Sequence, residues 1–231
     1  MELSKRLTAV AGLVTEGASV ADIGTDHGYI PIYLVKNGVI PRAVAIDINK
    51  GPLERARMHI IGHGLKDKIE VRLSDGLEKV RPGEADCIIA AGMGGGLVIH
   101  ILKEGKAVAD AARECILQPQ SEIWRVRKYL AESGFVIVAE DMVEEDGKFY
   151  PMMKAVHGSP EHYEPWEYLY GKKLLETRHP VLEKYLLREL SIQESIVLQL
   201  SARKDSESAK ERLREMEAKM RLTRQALTYF S

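Results

Sequence analysis

Short apolar runs alternate with amphipathic stretches along the first two thirds of this chain. The apolar runs, predicted as strands, are Val20–Gly24, Val44–Ile48, Ile69–Leu73, Cys87–Ala91 and Cys115–Gln118. Helical periodicity is found in Leu3–Val14, Tyr29–Asn37, Pro52–Ile61, Leu97–Leu102 and Glu122–Ser133. Near-continuous apolar strands separated by helices are typical of a parallel sheet that helices cover on both faces. The pattern therefore predicts an α/β domain.

Two further strand-like runs, Phe135–Ala139 and Phe149–Val156, end this domain. They are joined by the acidic segment Glu144–Lys148, in which Asp146-Gly147 is a hairpin signal. The sheet is therefore predicted to have seven strands, the last one antiparallel. By analogy at the level of fold, this Rossmann-like arrangement is that of class I methyltransferases.

The pattern changes after His157–Pro160, a segment that breaks regular structure. Beyond it lie two apolar stripes at helical steps, namely Leu182, Leu186, Leu190, Gln193, Val197 and Leu200, then Ala209, Leu213, Met216, Met220, Thr223, Leu227 and Phe230. The polar segment Lys204–Ser208 separates them, which predicts a coiled-coil-like antiparallel helical hairpin. We therefore expect two domains, residues 1–157 and 158–231. The second domain is either a packing or dimerisation element or an arm that binds a substrate. We expect the protein to be a monomer or a weak dimer.

Composition narrows the class of protein. The 231 residues carry 33 basic and 34 acidic side chains, a net charge of −1, which neither supports nor excludes a nucleic-acid partner. No apolar stretch reaches the roughly 20 residues that span a bilayer, and the start does not resemble a signal peptide. We therefore expect a cytoplasmic protein with no membrane association.

Cysteine and histidine usage predicts no metal site and no disulfide. Cys87 and Cys115 lie inside apolar runs and are expected to be buried core residues. No Cys/His spacing matches a zinc site. His59 and His63 stand at helical spacing, and we expect them on a solvated helix face.

Candidate chemistry begins where the first strand ends. The run Asp22–Tyr29, which contains Gly24, Thr25 and Gly28, closes that strand and opens a helix. Asp47, with Ile48 and Asn49 after it, ends the second strand 23 residues beyond Gly24. A glycine-bearing turn followed after about 20 residues by an acid that binds ribose hydroxyls is typical of nucleotide-binding α/β domains.

Two more loops follow the third and fourth strands. Ser74-Asp75-Gly76 offers a carboxylate and backbone groups to an adenine edge. Ala91-Gly92-Met93 belongs to the glycine-rich run Ala90–Gly96. Open α/β sheets bind ligands at the carboxyl ends of their strands, where all four loops fall. The sequence therefore predicts an adenosine-bearing ligand.

Asp26 favours S-adenosylmethionine over a dinucleotide. It occupies the second glycine position of the dinucleotide fingerprint, where an anionic side chain would repel a pyrophosphate. A ligand with a sulfonium and an ammonium group suits that charge. A nicotinamide-dependent oxidoreductase is kept as an alternative.

At this point the chain resembles a known family. The strings Asp22–Pro31, Ala90–Gly95 and Leu117–Gln120 are similar to those of the bacterial tRNA (adenine-N1)-methyltransferases known as TrmK, and the resemblance covers the whole chain. Gly28 is a departure from the motif, because alanine is expected there as readily. The resemblance implies transfer of a methyl group from S-adenosylmethionine to N1 of adenine at position twenty-two of tRNA. It also implies a helical arm that helps to hold the tRNA.

The reaction suggests roles for three residues of the first loop. Adenine N1 lies on the Watson–Crick edge, so the base must be unpaired or turned out of its stack. Asp26 would stabilise the cationic product, although binding of the methionine ammonium is an equal alternative. His27 or Tyr29 would position the base, and for His27 a loop-fixing hydrogen bond is the alternative. Arg6 could reach the mouth of the cofactor site or a phosphate, although as a single arginine it is rather expected to be simply exposed. Gln118 and Gln120 are expected on the substrate side.

Other functions are kept open beside this one. The alternatives are a methyltransferase that acts on another RNA or on a small molecule, and a non-catalytic RNA-binding module. Labelling of tRNA separates these alternatives from the leading hypothesis.

Overall fold

The computed structural model of the protein describes residues 2–159, 161–201 and 207–231. By its internal contacts the chain divides into two units, Met1–Glu161 and His162–Ser231, a division four residues beyond the expected one. Pro160, in the predicted structure-breaking segment, and residues 204–206, in the predicted linker, lie outside the described residues.

Within the described residues, seven strands form one sheet in the order β3-β2-β1-β4-β5-β7-β6. In chain order they are β1 (Val20–Ile23), β2 (Ala43–Asp47), β3 (Ile69–Leu73), β4 (Cys87–Met93), β5 (Glu114–Pro119), β6 (Phe135–Glu145) and β7 (Lys148–His157). Strands β1 to β5 pair in parallel, whereas β7 lies antiparallel between β5 and β6. This confirms the predicted sheet with its antiparallel last strand.

The terminal hairpin is longer than predicted. Glu144 and Glu145, expected in the connection, belong to β6 and pair with β7, so that the turn consists of Asp146 and Gly147 alone. Their φ angles are 50° and 71°, and two consecutive left-handed residues form the turn that Asp-Gly favours. The extension was not predicted because the strand residues next to the turn are polar. Polar residues are accommodated there, since that end of the hairpin is only half-buried.

Six helices of the first unit are described, and they cover both faces of the sheet. They are α1 (Lys5–Gly12), α2 (Tyr29–Lys36), α3 (Lys50–Gly62), α4 (Gly95–Glu104), α5 (Lys106–Ala111) and α6 (Ile123–Glu132). The first is shorter than predicted, because the Ser4 side chain caps it by accepting a hydrogen bond from Leu7 N. The short helix α5 was not predicted, since six residues are too few to show a helical period.

The core consists of two apolar layers, one on each face of the sheet. Helices α4, α5 and α6 pack with one layer, and α1, α2 and α3 pack with the other. Adjacent strand residues such as Ile88 and Ile89 therefore point into different layers. Cys87 and Cys115 are buried with free thiols, as predicted, and burial raises the pKa of Cys115 to about 12.

The second unit is helical, as predicted. Its described elements are α7 (Pro165–Tyr170), α8 (Lys172–Glu176), α9 (Pro180–Ser201), α10 (Glu207–Leu227) and a 3-10 turn (Thr228–Phe230). Glu207 and Ser208, expected in the linker, belong to α10. Across the described parts of the chain, no helix combines the length and the apolarity needed to cross a membrane.

Helices α9 and α10 pack against each other through a polar layer. The Thr223 hydroxyl lies 2.9 Å from Gln193 Oε1, and Lys219 Nζ lies 3.2 Å from a carboxylate oxygen of Glu189. The antiparallel arrangement of these two helices and their coiled-coil character stay predictions.

One buried ion pair joins α6 to β6. Arg127 Nε donates to Glu140 Oε1 at 2.8 Å, and the two side chains are 1% and 0% exposed. Removal of one partner from such a pair leaves a charge without compensation in a medium of low dielectric constant.

We therefore expect Arg127→Met to lower the free energy of unfolding by about 3–5 kcal/mol. Lys128→Met is the matched control, because Lys128 is the next residue of α6 and its pair with Glu132 is exposed. The control should lose less than about 1 kcal/mol. Urea denaturation measures both changes. Equal losses in the two variants would contradict the importance of the buried pair.

Candidate active site

A crevice of about 270 Å³ opens at the carboxyl ends of β1 and β4. Its lining residues come from α1, the first loop and the end of β4, and are Arg6, Leu7, Asp22, Gly24, Thr25, Asp26, His27, Tyr29, Ile30, Ala91 and Gly92. Eight of these were predicted as site residues from the sequence. The crevice therefore brings the predicted first and fourth loops together.

Asp22 places a buried carboxyl group in the crevice. The residue is 4% exposed, and Thr25 Oγ1 donates to its Oδ2 at 2.6 Å. The pKa of Asp22 is raised to about 7, chiefly by burial; the Thr25 hydrogen bond lowers it, and the nearby charge of Asp47 adds to the increase. A cationic ligand group at this place would stabilise the ionised form.

Glycines of the first loop and of the β4 end keep the backbone accessible. Gly24 has a φ of 68°, and a Cβ there would come within 3.0 Å of Met93 Cε. Gly92 has a φ of 82°, and a Cβ there would lie 3.3 Å from an Arg6 guanidinium nitrogen. Gly28, the departure from the family motif, has a φ of 71°, which favours glycine.

The carboxylate of Asp47 interacts with backbone N–H groups of two loops. Its Oδ1 accepts from Asn49 N at 2.9 Å, and its Oδ2 lies 3.4 Å from Asp26 N. Ser74 N in turn donates to the Asp47 carbonyl at 3.1 Å. Ile48, beside this carboxylate, is 58% exposed. The ends of β1, β2 and β3 are therefore joined by hydrogen bonds at one edge of the sheet.

The third predicted loop lines a second cavity, of about 340 Å³. Asp75 and Gly76 lie there with His100, Ile101 and Glu104 of α4. We expected all four loops around one crevice. The first and fourth loops line the crevice beside α1, whereas Asp75 and Gly76 of the third loop line the cavity beside α4.

Three near-parallel rings form a cluster at the crevice. The centroids of His27, Tyr29 and His59 lie 4.9, 5.4 and 5.5 Å apart, with interplanar angles of 8° to 19°. His59 Nδ1 lies 2.9 Å from the His27 carbonyl oxygen, whereas buried His27 Nδ1 finds no partner among the described residues. The expectation of a solvated His59 was wrong, because α3 brings it against the first loop. We call these residues the ring cluster.

Asp26 lies at the rim of the crevice. Its φ is 49°, its side chain is 55% exposed, and its carboxylate lies 2.7 Å from Arg55 Nη2 and 3.5 Å from His27 Nε2. Asp22 and Asp26 therefore occupy different environments, one buried and one open to solvent.

Arg6 lines the crevice, which agrees with the less favoured of its two sequence interpretations. It is half-buried, not simply exposed, and its Nη1 donates to Gln118 Oε1 at 2.9 Å. Its guanidinium carbon also lies 5.7 Å from the Tyr150 ring centroid. Nothing in the local pattern identifies it, because the hydrogen bond to Gln118 spans 112 positions of the sequence.

The crevice offers a carboxyl group to a cationic ligand group and a guanidinium to an anionic one, with aromatic rings beside them. No group of three or more His, Cys, Asp or Glu side chains that could hold a metal ion occurs in the described ranges.

The pKa of Asp22 predicts a pH-dependent stability. In the unfolded chain Asp22 ionises at its ordinary pKa of 3.8, and in the folded protein at about 7. Between these values the folded state binds the additional proton, so the free energy of unfolding falls as pH rises, by at most about 1.4 kcal/mol per pH unit. Asp22→Asn should therefore gain stability over the wild type from about pH 5 to pH 8 in urea denaturation without ligand.

Thr25→Val supplies the control for this experiment. Without the Thr25 hydroxyl, the pKa of Asp22 in the folded protein should be higher. The free energy of unfolding should therefore continue to fall up to a higher pH than in the wild type. A stability difference between wild type and Asp22→Asn that stays constant with pH would contradict the assignment.

Comparison with known proteins gives the family. The family model "Methyltransferase domain" matches residues 3–153. The tRNA (adenine(22)-N(1))-methyltransferase of Bacillus subtilis (strain 168) is 36% identical, over 99% of this chain and 98% of that protein.

Two solved structures extend the comparison. A Streptococcus pneumoniae protein in complex with S-adenosyl-L-methionine is 33% identical over 98% of this chain and 100% of that one, with a TM-score of 0.88. M. capricolum TrmK in complex with S-adenosyl-homocysteine is 27% identical over the full length of both chains, with a TM-score of 0.86. The chain belongs to the TrmK family of class I methyltransferases.

Proposed function

We propose that this protein transfers the methyl group of S-adenosylmethionine to N1 of an adenine in tRNA, at position 22 as named for the Bacillus subtilis relative. The observation that carries the proposal is the crevice itself, in which a buried acid, a guanidinium and the ring cluster lie together. The similarity over the whole chain supports the same reaction.

The residues present fit the amino-acid part of the cofactor. Asp22, buried and raised in pKa, would hold the ammonium group. Arg6 lines the same crevice, and its planar guanidinium has donors for a carboxylate besides the one given to Gln118. A zwitterion satisfies both charges, whereas a simple anion or cation satisfies one.

The remaining loops suit the adenosine part. Asp47 would accept hydrogen bonds from the ribose, with Ile48 and Asn49 beside it, and Ser74, Asp75 and Gly76 would meet the adenine in the cavity next to α4. Glycines at 24, 28 and 92, with Thr25, Ala91 and Met93, would shape the passage between the two parts. When bound, the cofactor supplies an electrophilic methyl group on a positively charged sulfur.

The protein then has to present adenine N1 in line with that methyl group. Tyr29, at 37% exposure, offers a ring face at the entrance, and His27 and His59 hold that ring in a fixed plane. Positioning of this kind is worth up to about 7–11 kcal/mol of the barrier. The methylated base gains a positive charge, which the carboxylate of Asp26 at the rim would stabilise.

The substrate also bears on where the protein acts. Because tRNA is the proposed substrate, we propose a cytoplasmic protein. We further propose that the protein is a monomer or a weak dimer, and that its helical second unit contributes to holding the tRNA.

Labelled S-adenosylmethionine with unmodified tRNA tests the reaction, and nucleoside analysis should recover N1-methyladenosine. Asp26→Asn, which tolerates the left-handed φ, should lower kcat by about 10- to 100-fold. Arg55→Gln is its control, because it removes the ion-pair partner and keeps the carboxylate. Recovery of N6-methyladenosine, or no labelled tRNA nucleoside, would contradict the reaction, and near-normal turnover of Asp26→Asn would contradict that residue's role.

The role of Arg6 is tested with two ligands that differ only at the amino-acid part. Arg6→Gln should weaken binding of S-adenosylhomocysteine by about tenfold, because a charge-assisted bond to the carboxylate is removed. Binding of methylthioadenosine, which lacks ammonium and carboxylate groups, should stay unchanged. Isothermal calorimetry measures both. An equal loss of affinity for the two ligands would place the effect of Arg6 elsewhere.

A further inference from the structure

A groove between α4 and α6 has no part in the crevice described above. Its volume is about 230 Å³, and Lys103, Trp124, Arg125, Lys128, Tyr129 and Glu132 contribute to its lining. We call it the α4–α6 groove. It combines an exposed indole and a half-buried tyrosine ring with cationic side chains, which is the composition of surfaces that bind single-stranded nucleic acid.

Trp124 is the aromatic residue most open to solvent in this groove. It is 45% exposed in the first turn of α6, although an indole side chain gains much free energy from burial. The sequence contains one other tryptophan, Trp166, which is half-buried in the second unit. The packing of the first unit does not explain an indole left in this position, whereas stacking on a base would cover it.

Cations surround this ring system. Lys103 Nζ lies 5.5 Å from the centroid of the Tyr129 ring. Arg125 pairs with Glu122, and Lys128 Nζ lies 3.8 Å from Glu132, with both lysine and glutamate exposed. Exposed pairs of this kind contribute little to stability, so a phosphate competes with them at small cost. With Glu122 counted, the groove and its rim carry three cations against two acids, in a chain whose net charge is −1.

The groove begins at the same edge of the sheet as the crevice. Helix α4 follows the end of β4 directly, and α6 follows the segment after β5, which contains Gln120. Gly95 N donates to the Ser121 carbonyl at 3.1 Å, which holds the start of α4 against the segment that leads into α6. The first turn of α6, which carries Trp124, is therefore held beside the start of α4 at the carboxyl edge of the sheet, where the crevice also opens.

We propose that the α4–α6 groove binds the RNA strand beside the target adenine. A flanking base stacks on the indole of Trp124, and phosphates of the backbone contact Arg125 and Lys128. This inference rests on the proposed function and names the surface by which the substrate is held. A polyanion matches the charge of the groove, whereas an apolar protein surface would leave its three cations desolvated.

Kinetics with the full-length protein and unmodified tRNA test the stacking. Trp124→Ala should raise KM for tRNA about tenfold, with kcat at saturating tRNA and the Kd for S-adenosylhomocysteine unchanged. Trp124→Phe keeps an aromatic face and should restore most of the affinity. Tryptophan fluorescence should be quenched by tRNA in the wild type, and Trp124→Phe, which retains Trp166, should lack that change.

Salt dependence tests the phosphate interactions. The double variant Arg125→Gln/Lys128→Gln should reduce the slope of log Kd against log salt by about 0.7 for each phosphate that the variant no longer neutralises. Lys36→Gln/Lys106→Gln is the matched control, since it removes the same charge from exposed positions of α2 and α5 outside the groove. The control should keep the wild-type slope.

Three outcomes overturn the inference. If the wild type methylates tRNA and Trp124→Ala keeps the wild-type KM, the groove is excluded as an RNA site and the proposed function stays intact. A wild-type protein that methylates no tRNA would exclude both. A wild-type dimer that Trp124→Ala converts to a monomer in sedimentation velocity, with unchanged KM, would show that the groove binds a second copy of the chain.

Discussion

The buried carboxyl group of Asp22 is the constraint on which the organisation of the crevice depends. The sheet places this acid at the end of a central strand, where burial opposes its ionisation and a hydrogen bond from Thr25 compensates in part. A protein gains no stability from such a group, since an apolar residue would pack there at lower cost. We propose that a positively charged ligand group is the partner that explains its position.

Around this acid, backbone hydrogen bonds fix the geometry of the strand ends. The Asp47 carboxylate accepts from Asn49 N, lies close to Asp26 N, and its own carbonyl accepts from Ser74 N. The same residue is thus assigned both to loop architecture and to ribose binding. The two roles are compatible, because each carboxylate oxygen has two lone pairs. A preorganised site of this kind needs little rearrangement when it binds a ligand.

Most of the fold was predictable, because strand periodicity and turn chemistry are local properties. The apolar runs gave the correct strands, and Asp146-Gly147 identified the hairpin. The site was predictable only where its residues follow the strands that position them, as Asp22 and Asp47 do. The burial of Arg6 and of His59 was not predicted, because their partners, Gln118 and His27, are distant in sequence and are brought near by helix packing.

The place of β7 in the sheet has a consequence for synthesis of the chain. This strand is made after β6 and yet lies between β5 and β6, so β6 has no partner in the sheet until Lys148–His157 is available. During translation β5 presents an open edge for the whole time that α6 and β6 are being added. Open edges pair readily with other chains. Nascent chains that stall before His157 should therefore be a principal source of aggregation for this protein.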